Sequence, residues 1–236
     1  MPIRSLLCST ALLAAPPEWP RTVAEASNHT RTSTVADVQA FMEALAKRSR
    51  ELQPWHPPGA PREAEGGTPL LAWRLKATGP NPLRVYLNGN IHAGEVEGKE
   101  ALLQLARELV QGRHPALRRA VEFVFVPAYN PDGTDALDPA IRRYQPNPDS
   151  GVGRRENLIG LDLNRDLMKA AAASTRFYLA MANAFDPHLV IDLHTTNGSC
   201  HTFHLTHAPA QVAGGDPGLM ALNRKLLREV RERLHR

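Results

Sequence analysis

Leu83-Arg-Val-Tyr-Leu-Asn88-Gly-Asn-Ile-His92-Ala-Gly-Glu95 is the stretch on which the reading of this chain turns. The largely apolar run at 83–87 reads as a buried strand. Gly89 and Gly94 then punctuate a loop, and a helical pattern begins at Glu95, with Ala101, Leu102, Leu105 and Leu109 on one face. His92 and Glu95 therefore fall at a strand-to-helix turn, three positions apart. That spacing lets an imidazole and a carboxylate converge on one point. Zinc accepts both ligand types, and a catalytic zinc takes a third protein ligand plus water.

A second strand end supplies the third candidate. Residues 189–194 are a short apolar run closing on His194, followed by the polar loop Thr195-Thr196-Asn197-Gly198. Open α/β sheets bring the C-terminal ends of their strands together at a site. Neither signal decides the matter alone. An H-x-x-E pair recurs by chance, and a His closing a buried strand is commonly a hydrogen-bonded structural residue. Together, each at a strand end, the two leave the metal and the structural reading evenly weighed.

Further motifs lie between them: the turn Asn130-Pro131-Asp132-Gly133, then Arg155, then Asn164-Arg165. In this order, with His92, Glu95 and His194, they resemble the zinc carboxypeptidase family, the carboxypeptidase A-like metallopeptidases. The resemblance runs from about residue 70 to about residue 209.

The resemblance implies one zinc per chain held by His92, Glu95 and His194, and hydrolysis of a C-terminal peptide bond. Zinc in such a set lowers the pKa of its water and polarises a carbonyl. Asp162 would accept a hydrogen bond from the free ring nitrogen of His92, which fixes its tautomer; without the resemblance it reads as a loop carboxylate. Arg155 would stabilise the oxyanion forming on the scissile carbonyl. Its neighbour Arg154 leaves that assignment open by one position, and both otherwise read as solvated loop charges. Asn164 and Arg165 would hold the terminal carboxylate, a planar fork suiting a carboxylate. The expected partner is thus a peptide or other substrate with a free C-terminal carboxylate.

The pattern breaks after His194. The family also uses a downstream Glu as general base, preceded by a substrate-contacting Tyr. Here no Tyr follows His194, and the only later carboxylates are Asp216, Glu229 and Glu232, the two Glu on the charged face of a helical pattern. Three accounts stand: a fragment of a longer peptidase, which is the expectation; an inactive zinc- or ligand-binding module; or a substitute such as Glu97, which is disfavoured. A zinc amidohydrolase acting on N-acyl amino acids or cell-wall peptides is the rival within enzymes.

The rest of the 236 residues fits one domain of ordinary composition, 42% hydrophobic and 22% charged. A net charge of +4 and the lack of any Lys/Arg run interleaved with aromatics argue against a nucleic-acid partner. No stretch has the 18 or so apolar residues needed to span a membrane, so no membrane partner is expected. Two cysteines, Cys8 and Cys200, make no disulfide framework. Residues 1–15 carry Arg4 and an apolar run before Ala14-Ala15-Pro16, which reads as a short signal peptide or as an ordinary N-terminus. The first reading implies a periplasmic or secreted protein, the second a cytoplasmic one.

Residues 16–68 read as an N-terminal helix and loop segment, and 69–236 as the catalytic domain. Thr34, with Asp37 three residues on, caps a helix over 35–48 whose apolar face is Val38, Phe41, Met42 and Leu45. Residues 53–69 read as loop, 71–77 as a half-buried strand, 123–126 as a strand, 144–155 as loop and 167–184 as a helix. A short strand at 203–206 and an amphipathic helix from Leu219 to Leu234 complete the pattern. His201, His204 and His207 form an H-x-x-H-x-x-H set. On a strand His204 points away from the other two, which argues against a second metal site. The sequons at Asn28 and Asn197 carry little weight. Strands alternating with helices give an α/β fold: a mixed, largely parallel sheet covered on both faces.

Overall fold

The computed structural model describes residues 18–196, 206 and 215–234. The leader at 1–15, Cys8, Cys200, His201, His204 and His207 lie outside the described residues, as does the strand expected at 203–206 apart from Thr206. The chain divides into two compact units, one ending at residue 198 and the other beginning at residue 199. Among the described residues no helix is long and apolar enough to cross a membrane.

The first unit opens with α1 (Val23–Ala26) and α2 (Val35–Ala46). The Thr34 hydroxyl accepts from the Asp37 N–H and the Asp37 carboxylate accepts from the Thr34 N–H, closing the box expected at the start of α2. β1 (Leu52–Pro54), β2 (Trp73–Leu75), β3 (Leu83–Gly89), β4 (Val121–Val126) and β5 (Leu189–Leu193) form one five-stranded sheet in the order β1-β2-β4-β3-β5. The β1–β2 and β2–β4 junctions are antiparallel and the β4–β3 and β3–β5 junctions parallel. α3 (Val96–Val110) and α4 (Pro115–Ala120) join β3 to β4, while α5 (Pro131–Asp135) and α6 (Ala173–Phe185) lie between β4 and β5.

Both faces of the sheet are covered. Val85, Leu87, Phe123 and Phe125 pack with Phe41, Met42, Leu45 and the Leu102–Leu103 pair of α2 and α3. Tyr86, Val124 and Val126 point the other way, onto Phe177, Met181 and Phe185 of α6. Double coverage is why β3 and β4 read as nearly continuous apolar runs rather than alternating ones. β5 is as apolar, yet Leu189, Val190 and Ile191 are 38%, 41% and 40% exposed. Among the described residues β5 pairs with β3 alone.

Two elements differ from expectation for local reasons. β1 falls at the edge of what read as loop; it has three residues and ends in Pro54, and only its pairing with β2 defines it. α6 starts at Ala173 rather than near Leu167, although the alanines at 170–173 favour helix. The Asp166 carboxylate accepts from the Ala171 and Ala172 N–H groups at 3.1 and 2.8 Å, and Ala170 takes φ 51°. An Asp side chain that captures nearby backbone donors competes with the helix for them.

The second unit contributes α7 (Pro217–Leu234), the amphipathic helix expected there. Asp216 Oδ1 accepts from the Leu219 N–H at 2.9 Å, satisfying a donor of its first turn.

Candidate metal centre

Two glycines bring the ends of β3, β5 and α3 together. A Cβ on Gly98 would lie 2.8 Å from Leu193 Cβ and 2.9 Å from the Leu193 carbonyl oxygen, and one on Gly89 would lie 3.0 Å from the Gly98 carbonyl carbon. Without those side chains the first turn of α3 rests against the strand ends. Glu95, at the N-cap position of α3, thereby comes to the point where β5 hands over to His194.

The loop between β3 and α3 is organised by Asn90, fully buried and in the left-handed region at φ 63°, a conformation Asn tolerates better than most residues. Its amide donates to the Ala93 and Glu95 carbonyls at 3.1 and 3.0 Å, and its oxygen accepts from Thr134 Oγ1 at 2.7 Å. The Asn130-Pro-Asp-Gly turn becomes the start of α5, with the Gly133 N–H donating to Asn130 Oδ1 at 3.0 Å. The Gly133 carbonyl accepts from Arg154 N, and the Arg154 carbonyl accepts from Ala93 N. The turn thus docks the Arg154–Arg155 segment onto the His92 loop.

His92, Glu95 and His194 each present a ligand atom, and the three atoms lie within 4.8 Å of one another. His92 Nδ1 is 2.9 Å from Glu95 Oε1, and His92 Nε2 is 3.3 Å from Asp162 Oδ1. Asp162 also accepts two bonds from Arg155, at 3.1 Å from Nε and 2.9 Å from Nη2, and one from the Asn164 N–H at 3.0 Å. The Arg155 Nη1 reaches within 3.4 Å of His92 Nδ1. Asn164 Nδ2 stands 3.4 Å from His194 Nε2. Arg165, on the 3-10 turn Leu163–Arg165, is exposed and donates to the Asn164 carbonyl.

The electrostatics keep the carboxylates ionised. Burial pushes the Glu95 carboxyl up, but donors from His92, the Thr195 N–H and Arg142 outweigh it and hold the group at about 2. Burial raises Asp162 as well, and the Arg155 guanidinium with the Asn164 N–H brings it below the usual carboxylate range. Two imidazoles and an ionised carboxylate form a donor set that suits zinc.

The resemblance assigned Arg155 and left the assignment open by one position to Arg154. Arg155 is the one that reaches the cluster, while Arg154 is exposed. Glu97 is exposed on the first turn of α3, and Asp216, Glu229 and Glu232 belong to the second unit. Three contributors had no sequence signal of their own. Arg142 Nη2 donates to Glu95 Oε1 at 2.8 Å, and the Thr195 N–H donates to Glu95 Oε2 at 2.9 Å. Asp192 lies beside His194. Arg142 and Arg155, with Asp138, Ile141, Arg154 and Glu156, line a cleft of about 510 Å³.

The model of the zinc carboxypeptidase family matches residues 58–189, more than half of the chain, and the protein belongs to that family. It is 29% identical to carboxypeptidase 2 of Trichophyton rubrum over 175 residues, which cover 71% of this chain and 29% of that protein. Over 92 residues it is 33% identical to human carboxypeptidase D, covering 36% of this chain and 7% of that one. The chain thus spans under a third of the length of the fungal relatives it matches. Its fold is that of solved carboxypeptidases. A metallo-carboxypeptidase from Burkholderia cenocepacia superposes with a TM-score of 0.55 at 18% identity, over 70% of this chain and 41% of that one. Bovine thrombin-activatable fibrinolysis inhibitor, solved with tick carboxypeptidase inhibitor, gives 0.55 at 14% identity, over 71% and 62%.

Proposed function

We propose that this chain carries the zinc centre of a metallocarboxypeptidase that hydrolyses C-terminal peptide bonds. The observation that carries the reading is the convergence of His92, Glu95 and His194 within 4.8 Å. Those three residues would hold one zinc ion, which when bound supplies a water of lowered pKa and a Lewis acid for the scissile carbonyl.

The chain's own residues do the rest. With zinc bound, Asp162 would accept the hydrogen bond of His92 Nε2–H, leaving the Nδ1 lone pair for the metal. Arg142 and the Thr195 N–H hold the Glu95 carboxylate from outside. Arg155, fixed by two bonds to Asp162, is a cation beside the centre suited to the oxyanion of an attacked carbonyl. Asn164 and Arg165, following directly on Asp162, would take the substrate's terminal carboxylate, and the exposed Arg165 fork is open to one. A periplasmic or secreted location rests on the leader-like run at 1–15.

The test is zinc content of the wild-type chain beside His194→Ala, with hydrolysis of blocked dipeptides, their C-terminal amides and N-acyl amino acids on the same samples. The expected result is about one zinc per chain, lost in His194→Ala, and cleavage confined to substrates with a free carboxylate. Zinc without turnover makes the chain a binding module. Preference for N-acyl amino acids makes it an amidohydrolase. No zinc in the wild type sinks the assignment.

A further inference from the structure

Residues 62–70 fold back on themselves ahead of β2 through an antiparallel bridge between Glu63 and Pro69. The Leu70 N–H donates to the Arg62 carbonyl and the Ala64 N–H to the Thr68 carbonyl, both at 2.8 Å. Ala64 and Leu70 are buried in the core on the α6 side. The tip is a β-turn over 64–67: the Gly67 N–H donates to the Ala64 carbonyl at 3.0 Å, with Glu65 and Gly66 at the two central positions. Gly66 donates from its N–H to Asp132 Oδ2 at 2.9 Å, and a Cβ on it would lie 2.6 Å from Asp132 Oδ1 and 3.1 Å from Leu158 Cδ2. The tip therefore fits between α5 and the turn that carries Leu158.

Glu65 uses both carboxylate oxygens there. Oε1 accepts from the N–H of Ala173, the first residue of α6, at 2.6 Å, and Oε2 accepts from Asn157 Nδ2 at 3.1 Å. The first donor is one that a helix leaves unsatisfied at its start, and α6 is itself fixed to the sheet through Phe177, Met181 and Phe185. Asn157 is 5% exposed and organises the 157–161 turn. Its oxygen accepts from the Leu161 N–H at 2.8 Å, its own N–H donates to the Leu161 carbonyl and its carbonyl accepts from the Gly160 N–H, the last two at 3.0 Å. Leu158 and Ile159 are largely exposed, so Asn157 is the buried anchor of the turn. Arg155 and Asp162 leave its two ends and pair across it, at 2.9 and 3.1 Å.

We propose that Glu65 is a positioning residue for Arg155: it ties the 157–161 turn to the start of α6 and so fixes where the Arg155 fork meets Asp162. A carboxylate suits this place because it can accept from two donors that belong to separate segments. The inference rests on the reading of Arg155 as the cation for the oxyanion, and the experiment has an arm that does not.

That arm is solvent exchange of the Arg155 Nε–H in the zinc-free chain labelled with 15N-arginine, its signal assigned by loss in Arg155→Lys. Glu65→Ala should speed this exchange about tenfold, as loss of one charge-assisted hydrogen bond would. Glu65→Gln, which keeps one acceptor oxygen, should fall between. The β4 amides should exchange as in wild type in both variants. Unchanged exchange at Arg155, or equal acceleration at the β4 amides in Glu65→Gln, overturns the proposal, the second by making Glu65 a general structural residue. The other arm is turnover of blocked dipeptides. Glu65→Ala should lower kcat about tenfold with KM little changed, and should cost nothing further in an Arg155→Ala background. Equal losses in both backgrounds overturn the proposal. Wild type without turnover sinks the hydrolase reading, and exchange at Arg155 then decides whether Glu65 positions it.

Discussion

Glu95 and Lys99 stand one turn apart at the start of α3, each buried in a polar cluster, and the two clusters are built for opposite purposes. Around Glu95, ring nitrogens and carboxylate oxygens converge within 4.8 Å, and the arginines behind them line an open cleft. Around Lys99 the groups that hydrogen-bond, Thr32, Ser33 and Glu100, are buried with it. Lys99 is fully buried and donates to the Ser33 carbonyl, while Glu100 accepts from Thr32 Oγ1 at 2.9 Å, the Ser33 N–H at 2.7 Å and Ser33 Oγ at 3.1 Å. Burial pushes the Lys99 ammonium down to about 8, although Glu100, Asp135 and Asp37 pull it up. Polar groups that saturate one another fasten α3 to the segment before α2; polar groups that converge with an open side can take a ligand. The first cluster holds the helix that presents the second.

Substitutions that separate the two roles test this contrast. Glu100→Ala should have the largest effect. It strips the acceptor from three donors and the strongest countercharge from Lys99, so unfolding free energy should fall by about 3–5 kcal/mol in chemical denaturation. Zinc affinity of the folded fraction should stay within about threefold. A zinc loss matching that at Glu95 would erase the distinction.

Glu95→Gln keeps the shape and removes a ligand charge. Zinc affinity should fall on the order of 100-fold or more, about 2.7 kcal/mol, by chelator competition. An unchanged affinity would place the metal elsewhere.

Lys99→Met should stabilise the chain by about 2 kcal/mol at pH 7, since a buried ammonium gives way to an apolar chain of similar volume. The pH dependence carries a sign. The unfolded lysine keeps its proton to about 10.5 and the folded one to about 8, so between those values the unfolded state binds more protons and wild-type stability rises with pH. Denaturation midpoints from pH 7.5 to 9, below the range in which the buried tyrosines Tyr86, Tyr129 and Tyr178 contribute, should climb in wild type and stay flat in Lys99→Met. A flat wild-type profile would mean that Lys99 is well solvated or well paired.

Asp162→Asn gives the smallest change. The amide still accepts from Arg155 but attracts the His92 proton less, and zinc affinity should drop roughly tenfold, at the low end for an outer partner.

Much of the site was legible because its signals are local. His92 and Glu95 sit three apart between a strand run and a helix run, and His194 closes a second apolar run. The box at Thr34 and Asp37, the apolar face of α2 and the turn at Asn130 follow from neighbours within four positions. Asp162, Arg155, Asn164 and Arg165 were picked out only by the order of motifs, since each alone reads as a loop residue. Arg142 carried no signal, because its partner Glu95 is reached through a loop closed by distant backbone bonds. Nor did Asp192, whose partner is set by strand register. The late start of α6 was hidden because Asp166 outcompetes the alanines' helix preference in a way propensity does not record.

The sequence by itself determined the α/β alternation, the strand-end residues able to bind a metal, and the family. Periodicity, turn chemistry and motif order are properties of neighbouring residues. Tertiary structure alone decided that Arg142 reaches Glu95, that Asp192 lies beside His194, and which buried charges are sealed. Those depend on sheet order, on the β3–β5 register pairing Asn88 with Asp192, and on the close approach that Gly89 and Gly98 permit. Such relations form only when segments far apart in the chain are packed against one another.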